Sequence, residues 1–421
     1  DTDMMVLSFI PSRRENELLT ISEAIETQRI IDAMARAGGG LPANVLPFAV
    51  NQVTQVGLDF LLAAAAFGAA GFTVLCVDPA PPVTSREAEG ADMRSTAFLQ
   101  PAQAFLDAAG LWDRLAPHAT PLQTMRIVDA GGPDPEARLS RDFEAADLSP
   151  DLPFGWNLPN WLLRREMAAR LDEMANVTFR TGVAAEALFT RTDEARVTLS
   201  DGNRIRCRLV IAADGHDSAL RQAAGIDVAC TRFGQKALAF AVTHPIPHGN
   251  VSTEIHRTGG PFTLVPLSDH QGRPSSAVVW MEEGPRAAEL HALDVPAFEA
   301  AMTERSAHLF GPLTLASRRS IWPIIAQHAK ALTSERLALV AEAAHVVPPI
   351  GAQGLNMSLT DLSALLDLAR AAPESLGSAE MLDRYHRARI TDIRARVTGI
   401  TALNQVSMLK PPPLRDLRAA G

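Results

Sequence analysis

Three short stretches carry residue types whose spacing could do chemistry. In the first, Leu337–Val340 reads as a short strand buried on both faces, followed by a loop that Pro348 and Pro349 keep extended. Gly351 and Gly354 allow close backbone approach, and Leu355, Leu359, Leu362, Leu366 and Ala369 then recur at helical spacing. A strand, a glycine-bearing loop and a helix N-terminus together present unpaired N–H groups and a positive dipole end, which suits a phosphate or another electron-rich group. The same pattern also serves as a plain connection between elements. In the second stretch, Leu209–Ala213 reads as a buried strand, Asp214 and Gly215 as a turn, and Ser218 and Arg221 as the opening of a helix. In the third, residues 48–78 read as a βαβ unit. Its strand lies near Leu46–Thr54, its helix near Leu58–Ala70 and its second strand near Thr73–Val77, with Asp78 closing the unit as an acceptor for ribose hydroxyls.

These stretches resemble the FAD-dependent aromatic-ring hydroxylases of the p-hydroxybenzoate hydroxylase group, and within it the ubiquinone-biosynthesis branch. The resemblance rests on Ala343, Ala344, His345, Pro348, Pro349, Gly351, Gln353, Gly354, Leu355 and Asn356. It extends to Asp92 and Arg94 in the run from Ala91, to Asn160, and to the Asp214–Gly215 pair. Where the family has Gly-Asp, this chain has Ala341-Glu342. The family's G-x-G-x-x-G positions fall on Gln55, Gly57 and Phe60, so only the middle glycine is kept. A side chain at the first position strains the tight turn, and a ring at the third intrudes where helix and strand pack backbone to backbone.

The resemblance implies an α/β fold: a discontinuous Rossmann-like FAD-binding domain (48–230 and 321–421) with an inserted antiparallel β-sheet substrate domain (231–320). Residues 1–47 are left as an unplaced segment. It implies FAD, with NAD(P)H as co-substrate and dioxygen as oxidant, and hydroxylation of a polyprenylated phenol. The cofactor-binding residues it implies are Gly57, Asp78, Arg94, Asp214, Gly215, Glu342, Pro349, Gly351, Gly354, Leu355 and Asn356. No catalytic acid or base is assigned, because the cofactor carries the hard chemistry and loop hydrogen bonding explains His345 equally well. The lost glycines keep a second reading open, a flavin-poor member acting as a binding or assembly partner in the quinone pathway. Trp322 and Pro323 echo part of a flavin-dependent halogenase signature, whose remainder is missing.

Composition narrows the classes. The chain has 421 residues, 47% hydrophobic and 21% charged, which is ordinary for a globular enzyme of two subdomains. A formal charge of −9 argues against a nucleic-acid partner. Cys76, Cys207 and Cys230 are read as buried thiols of a reducing cytosol, and no secretory signal is visible. The apolar stretch Val56–Val77 contains Asp59 and is read as a buried helix and strand rather than a membrane span. His244, His248 and His256 lack a carboxylate arrangement for a metal. The run Arg384, Arg387, Arg389, Arg394 and Arg396 is read as a solvated helix face, with peripheral contact at an anionic inner-membrane face as the minority reading. On the pocket wall, Phe240, Phe262, Leu264 and Trp280 are the candidates, with plain core as the alternative.

Overall fold

The computed structural model describes residues 2–7, 57–131, 135–147, 151–257 and 259–408, with the side chains of 2–7 excepted. All of these belong to one compact unit. Its central sheet holds five parallel strands in the order Leu337–Leu339, Arg204–Ala212, Thr2–Leu7, Val74–Asp78 and Val177–Thr181. Winding therefore reverses between Thr2–Leu7 and Arg204–Ala212, and ligands of open α/β sheets bind beyond the strand ends at such a reversal.

The strand at the centre of the sheet was not expected there. Thr2–Leu7 lies in the segment that sequence reasoning left unplaced, yet it pairs with both Arg204–Ala212 and Val74–Asp78. The strand expected near Leu46–Thr54 lies outside the described residues. From Gly57 onward the expected order is followed, with a helix over Leu58–Ala69 and a strand over Val74–Asp78. Leu58 and Phe60 through Phe67 are all buried, so this helix is apolar on every side. Among the described residues no helix is long and apolar enough to cross a membrane.

A second sheet is antiparallel along Ser320–Ala329, Val228–Thr243, Arg273–Glu283, Pro261–His270 and Val251–His256. It also recruits Thr124–Asp129, parallel to Val251–His256, and Leu139–Glu144 beyond it. Register decides what each strand face does. Phe240, Phe262, Leu264 and Trp280 point to one face and pack on Phe298 and Met302, and all four are core. Ala237, Met281 and Ile324 belong to a separate apolar cluster, with Phe233, Val279, Trp322 and Ile350 half-buried around it.

Two further readings are corrected. Arg389 is buried rather than solvated, while Arg387 and Arg396 pair with Asp383 and Asp392 on the exposed side of the same Ala379–Ser407 helix. Cys230 is exposed, unlike Cys76 and Cys207.

Candidate active site

The Leu58–Ala69 helix begins at the winding reversal. Gly57 is its N-cap, in extended conformation, and no side chain caps the first turn. Among the described residues, a methyl group added at Gly57 would meet nothing nearer than the Ala213 carbonyl oxygen and Phe60 Cβ, each 4.0 Å away. Phe60 packs towards the sheet's outer edge. Its ring is fully buried and lies 5.8 Å from that of Phe179, on the outer strand Val177–Thr181.

Asp78 closes its strand, is buried, and accepts a 2.8 Å hydrogen bond from the Ala80 amide. After Arg204–Ala212, Asp214 turns back into the protein. Its carboxylate accepts from Ser218 Oγ at 2.5 Å and from the Leu220 amide at 3.1 Å, tying down the helix Ala219–Ala223. Burial pushes the Asp214 carboxyl upward, against these hydrogen bonds. Gly215 is left-handed, at φ +80°, as a tight turn needs. Arg221 then donates to the carbonyls of Ala343 and His216, at 3.0 and 2.9 Å, joining this turn to the next loop. Asp214 thus shapes the floor of the crevice and does not line it.

The loop after Leu337–Leu339 is less extended than expected, since Ala341–Ala344 forms one short helix before Pro348. Ala341 occupies the left-handed region at φ +56°, the conformation natural to the glycine found there in the resembling family. Ala352, at φ +54°, does the same just before the Gln353–Ala371 helix. Two alanines held this way in one loop mark a backbone fixed by its surroundings. Glu342, Pro349, Gly351 and Gly354 are exposed along it, and a methyl group added at Gly354 would meet nothing within 4 Å. Asn356 fixes the loop's far end: its Oδ1 accepts from the Leu99 amide at 3.0 Å and its Nδ2 donates to the Ala97 carbonyl at 2.9 Å. Leu355 is half-buried in the same turn.

Those hydrogen bonds bring in Arg94, one residue before the strand Ser95–Leu99. Arg94 Nε and Nη2 each donate to Asp92 at 2.8 Å, and Asp92 also accepts from Arg164 and Asn160, both at 3.0 Å. Burial would raise the Asp92 carboxyl, but the two guanidinium groups hold it well below the usual range. Asp92 keeps Arg94 charged and oriented, with the guanidinium 5.4 Å from the Trp322 ring centroid. Glu342 acts electrostatically on both Arg94 and Asp59, and Asn356 is bonded to the strand that follows Arg94, so the helix N-terminus, the arginine and the proline loop lie near one another, while Asp78 and Asp214 are buried.

Sequence reasoning missed two parts of this crevice. One is the apolar cluster of Met281 and Ile324, both buried, with Trp322 and Ile350 half-buried against it, on the strand face opposite Phe240 and Trp280. The other is Asp59, in the first turn of the Leu58–Ala69 helix, whose Oδ1 is shut off from solvent without a hydrogen-bond partner. A carboxylate in an otherwise apolar run was the available signal.

His345 is not aimed at the crevice: its Nε2 bonds Asp361 at 2.7 Å, and Asp361 also accepts from Arg389 at 2.7 Å, all three buried. The three histidines weighed for a metal have protein partners, His244 with Ile246 and Ser276, His248 with Leu267, and His256 with Glu254.

The residues present fit FAD. Among the described residues a glycine stands at the helix N-terminus by the winding reversal, and glycine-bearing backbone lies exposed in the loop after Glu342, whose charge acts on the Arg94 fork. Asp59, in the first turn of that helix, is a contrary charge.

Comparison with known proteins agrees. The family described as FAD binding domain matches residues 57–399. The ubiquinone hydroxylase UbiL of Rhodospirillum rubrum is 31% identical over 332 residues, spanning 78% of this chain and 75% of that protein. The 3-demethoxyubiquinol 3-hydroxylase of Escherichia coli is 28% identical over 387 residues, 88% of this chain and 94% of its own. A crystal structure of PqsL, a probable FAD-dependent monooxygenase from Pseudomonas aeruginosa, superimposes with a TM-score of 0.70 at 22% identity, covering 84% of this chain and 95% of that one. The chain belongs to the FAD-binding-domain family of flavin-dependent monooxygenases, the group that contains these ubiquinone hydroxylases.

Proposed function

We propose that the chain hydroxylates a phenolic ring of a polyprenylated quinone precursor, with FAD as cofactor and NAD(P)H and dioxygen as co-substrates. One observation carries the reading: the half-buried Trp322, and Ile350 of the proline loop, stand on the buried Met281 and Ile324, with the oriented Arg94 guanidinium 5.4 Å from the Trp322 ring. A flat, electron-rich ring fits against that apolar surface. Names of the matched relatives, a ubiquinone hydroxylase and a demethoxyubiquinol hydroxylase, support the substrate class.

Bound FAD supplies the redox chemistry, taking electrons from NAD(P)H and giving the ring one oxygen atom of dioxygen. Residues of the chain bind, orient and exclude water. In this reading Gly57 admits the pyrophosphate to the helix N-terminus, and Asp78 accepts from the ribose. Asp214 and Gly215 shape the turn beneath them. Glu342 accepts from the ribityl hydroxyls, and the backbone of Pro349, Gly351, Gly354, Leu355 and Asn356 lies along the flavin ring. Arg94 offers a planar donor fork to an anionic oxygen at that ring. Trp322, Ile324, Met281 and Ile350 hold the phenol in a dry pocket, which protects the oxygen transfer from hydrolysis. The substrate's polyprenyl tail makes peripheral contact with a membrane part of this proposal, as is association with other quinone-pathway proteins.

The test is to purify the protein, record flavin absorbance, and measure NAD(P)H oxidation with a prenylated phenol. A yellow protein whose product gains one oxygen supports the reading. A protein that stays colourless in added FAD overturns it in favour of the binding or assembly partner, to which the Asp59 carboxyl in the first turn of the helix lends weight.

A further inference from the structure

We infer that Asn157 is a specificity-determining residue: its carboxamide oxygen accepts a hydrogen bond from the phenolic hydroxyl of a ring lying against the half-buried face of the second sheet. This rests on the substrate reading above and extends it to a residue that the family resemblance did not mark.

Position comes first. Asn157 lies in the short strand Gly155–Pro159, between Ser95–Leu99 and Thr120–Leu122. Successive side chains of a strand point to opposite faces. Leu158 and Phe98 turn into the first core, and Trp156 packs edge-on against Trp112. Asn157 turns the other way, together with Ala97 and Thr120 directly opposite it. That face looks at the second sheet. Asn157 Nδ2 donates to the Pro266 carbonyl at 2.8 Å, and Thr120 Oγ1 lies 3.4 Å from Ser268 Oγ. The proline loop reaches the same small sheet, where Asn356 is bonded to the backbone of Ala97 and Leu99. Three elements therefore converge around Asn157.

Beside Pro266 the second sheet has a face that its neighbours leave open. Val265 and Thr263 stand on one strand, and Val279 stands directly opposite Thr263 on the next. Both strands have partners on each side, yet Thr263, Val265 and Val279 are only half-buried. On the other face Phe262, Leu264 and Val278 are fully packed. Val279 continues into the cluster of Met281 and Trp322, so the floor beside Asn157 joins the apolar surface already assigned to the ring.

The carboxamide supplies what this floor lacks. Asn157 is 1% exposed, its Nδ2 is held by Pro266, and its Oδ1 is buried with no hydrogen-bond partner. An amide oxygen accepts, and a phenolic hydroxyl has one proton to offer. A ligand that donates there removes the cost of a sealed acceptor, while one that cannot leaves that cost in place. Discrimination of this kind is sharper than any made by apolar contact alone.

The experiment uses the FAD-loaded protein without NAD(P)H, so that nothing turns over. Perturbation of the flavin absorbance reads the dissociation constants of a short-chain prenylated phenol and of the same compound with hydrogen in place of the hydroxyl. Wild type should prefer the phenol by about tenfold or more. Asn157→Leu, close in size, should bind the phenol no more tightly than the analogue. A purely structural tie to Pro266 would weaken both ligands together and leave their ratio unchanged. The wild-type comparison needs no variant to fold, and equal binding of the two compounds overturns the inference. So does a preference that survives Asn157→Leu, or one abolished by Thr263→Val alone, which would give the hydroxyl to the floor. A colourless protein refutes the cofactor reading, and a yellow one that binds neither compound refutes the substrate reading; either takes this inference with it.

Discussion

Two aspartates flank the crevice and are treated in opposite ways. Asp361, on the Gln353–Ala371 helix, is fully buried, with one oxygen bonded to His345 and the other to Arg389. Asp59, on the Leu58–Ala69 helix, keeps an oxygen sealed without a partner. The first is a brace: it locks the proline loop to the Ala379–Ser407 helix and has no capacity left for a ligand. The second accepts from the Ser358 hydroxyl but keeps one oxygen sealed in the first turn of its helix, one of ten such buried atoms among the described residues, His345 Nδ1 and Arg389 Nη2 of the brace included. Buried polar groups are ordinarily hydrogen-bonded, so each of these atoms carries a desolvation cost.

The sharpest way to break the comparison is to remove the brace. Asp361→Ala leaves Arg389 and His345 facing an emptied interior, and should lower unfolding stability by roughly 3–5 kcal/mol in a denaturant titration. A change below about 1 kcal/mol would mean that the network is dispensable.

The next effect has the opposite sign. Burial pushes the Asp59 carboxyl up to about 7, above the ordinary carboxylate range, so its contribution to stability is fully present only in acid and is lost as pH rises through neutrality. Asp59→Asn mimics the protonated form. It should stabilise the cofactor-free protein by on the order of 3 kcal/mol near pH 8.5, and by less near pH 5. Equal effects at the two pH values would show that the carboxylate is already solvated.

The smallest effect concerns the loop backbone. Ala352 is exposed and left-handed, so Ala352→Gly should stabilise by about 0.5–1 kcal/mol, read as a small rise in the unfolding midpoint. A loss would show that the methyl group packs on something in solution.

Much of this architecture was legible because its signals are local. Helix Gln353–Ala371 follows from leucine spacing, and the turn at Gly215 from an Asp-Gly pair after an apolar strand. Asp92 and Arg94 were legible as a pair, though not the buried Arg164 behind them. What escaped was non-local. Arg389 sits in a run of alternating charge that looks solvated, and only the three-dimensional position of Asp361 explains its burial. Phe240 and Trp322 lie on neighbouring strands with nothing in their sequence windows to say which faces the crevice, since a shift of one residue exchanges the faces. The central strand was illegible for the same reason: nothing near Thr2–Leu7 announces partners at Val74 and Val210.

That strand has a consequence for assembly. Leu337–Leu339 with Arg204–Ala212 forms one wing of the parallel sheet and Val74–Asp78 with Val177–Thr181 the other; among the described residues Thr2–Leu7 is the ladder that joins them. Its partners Val74 and Val210 lie far along the chain, and pairing at such separation forms slowly, because loop closure comes before the contacts that reward it. The two wings are thus held in register through a single strand of six residues.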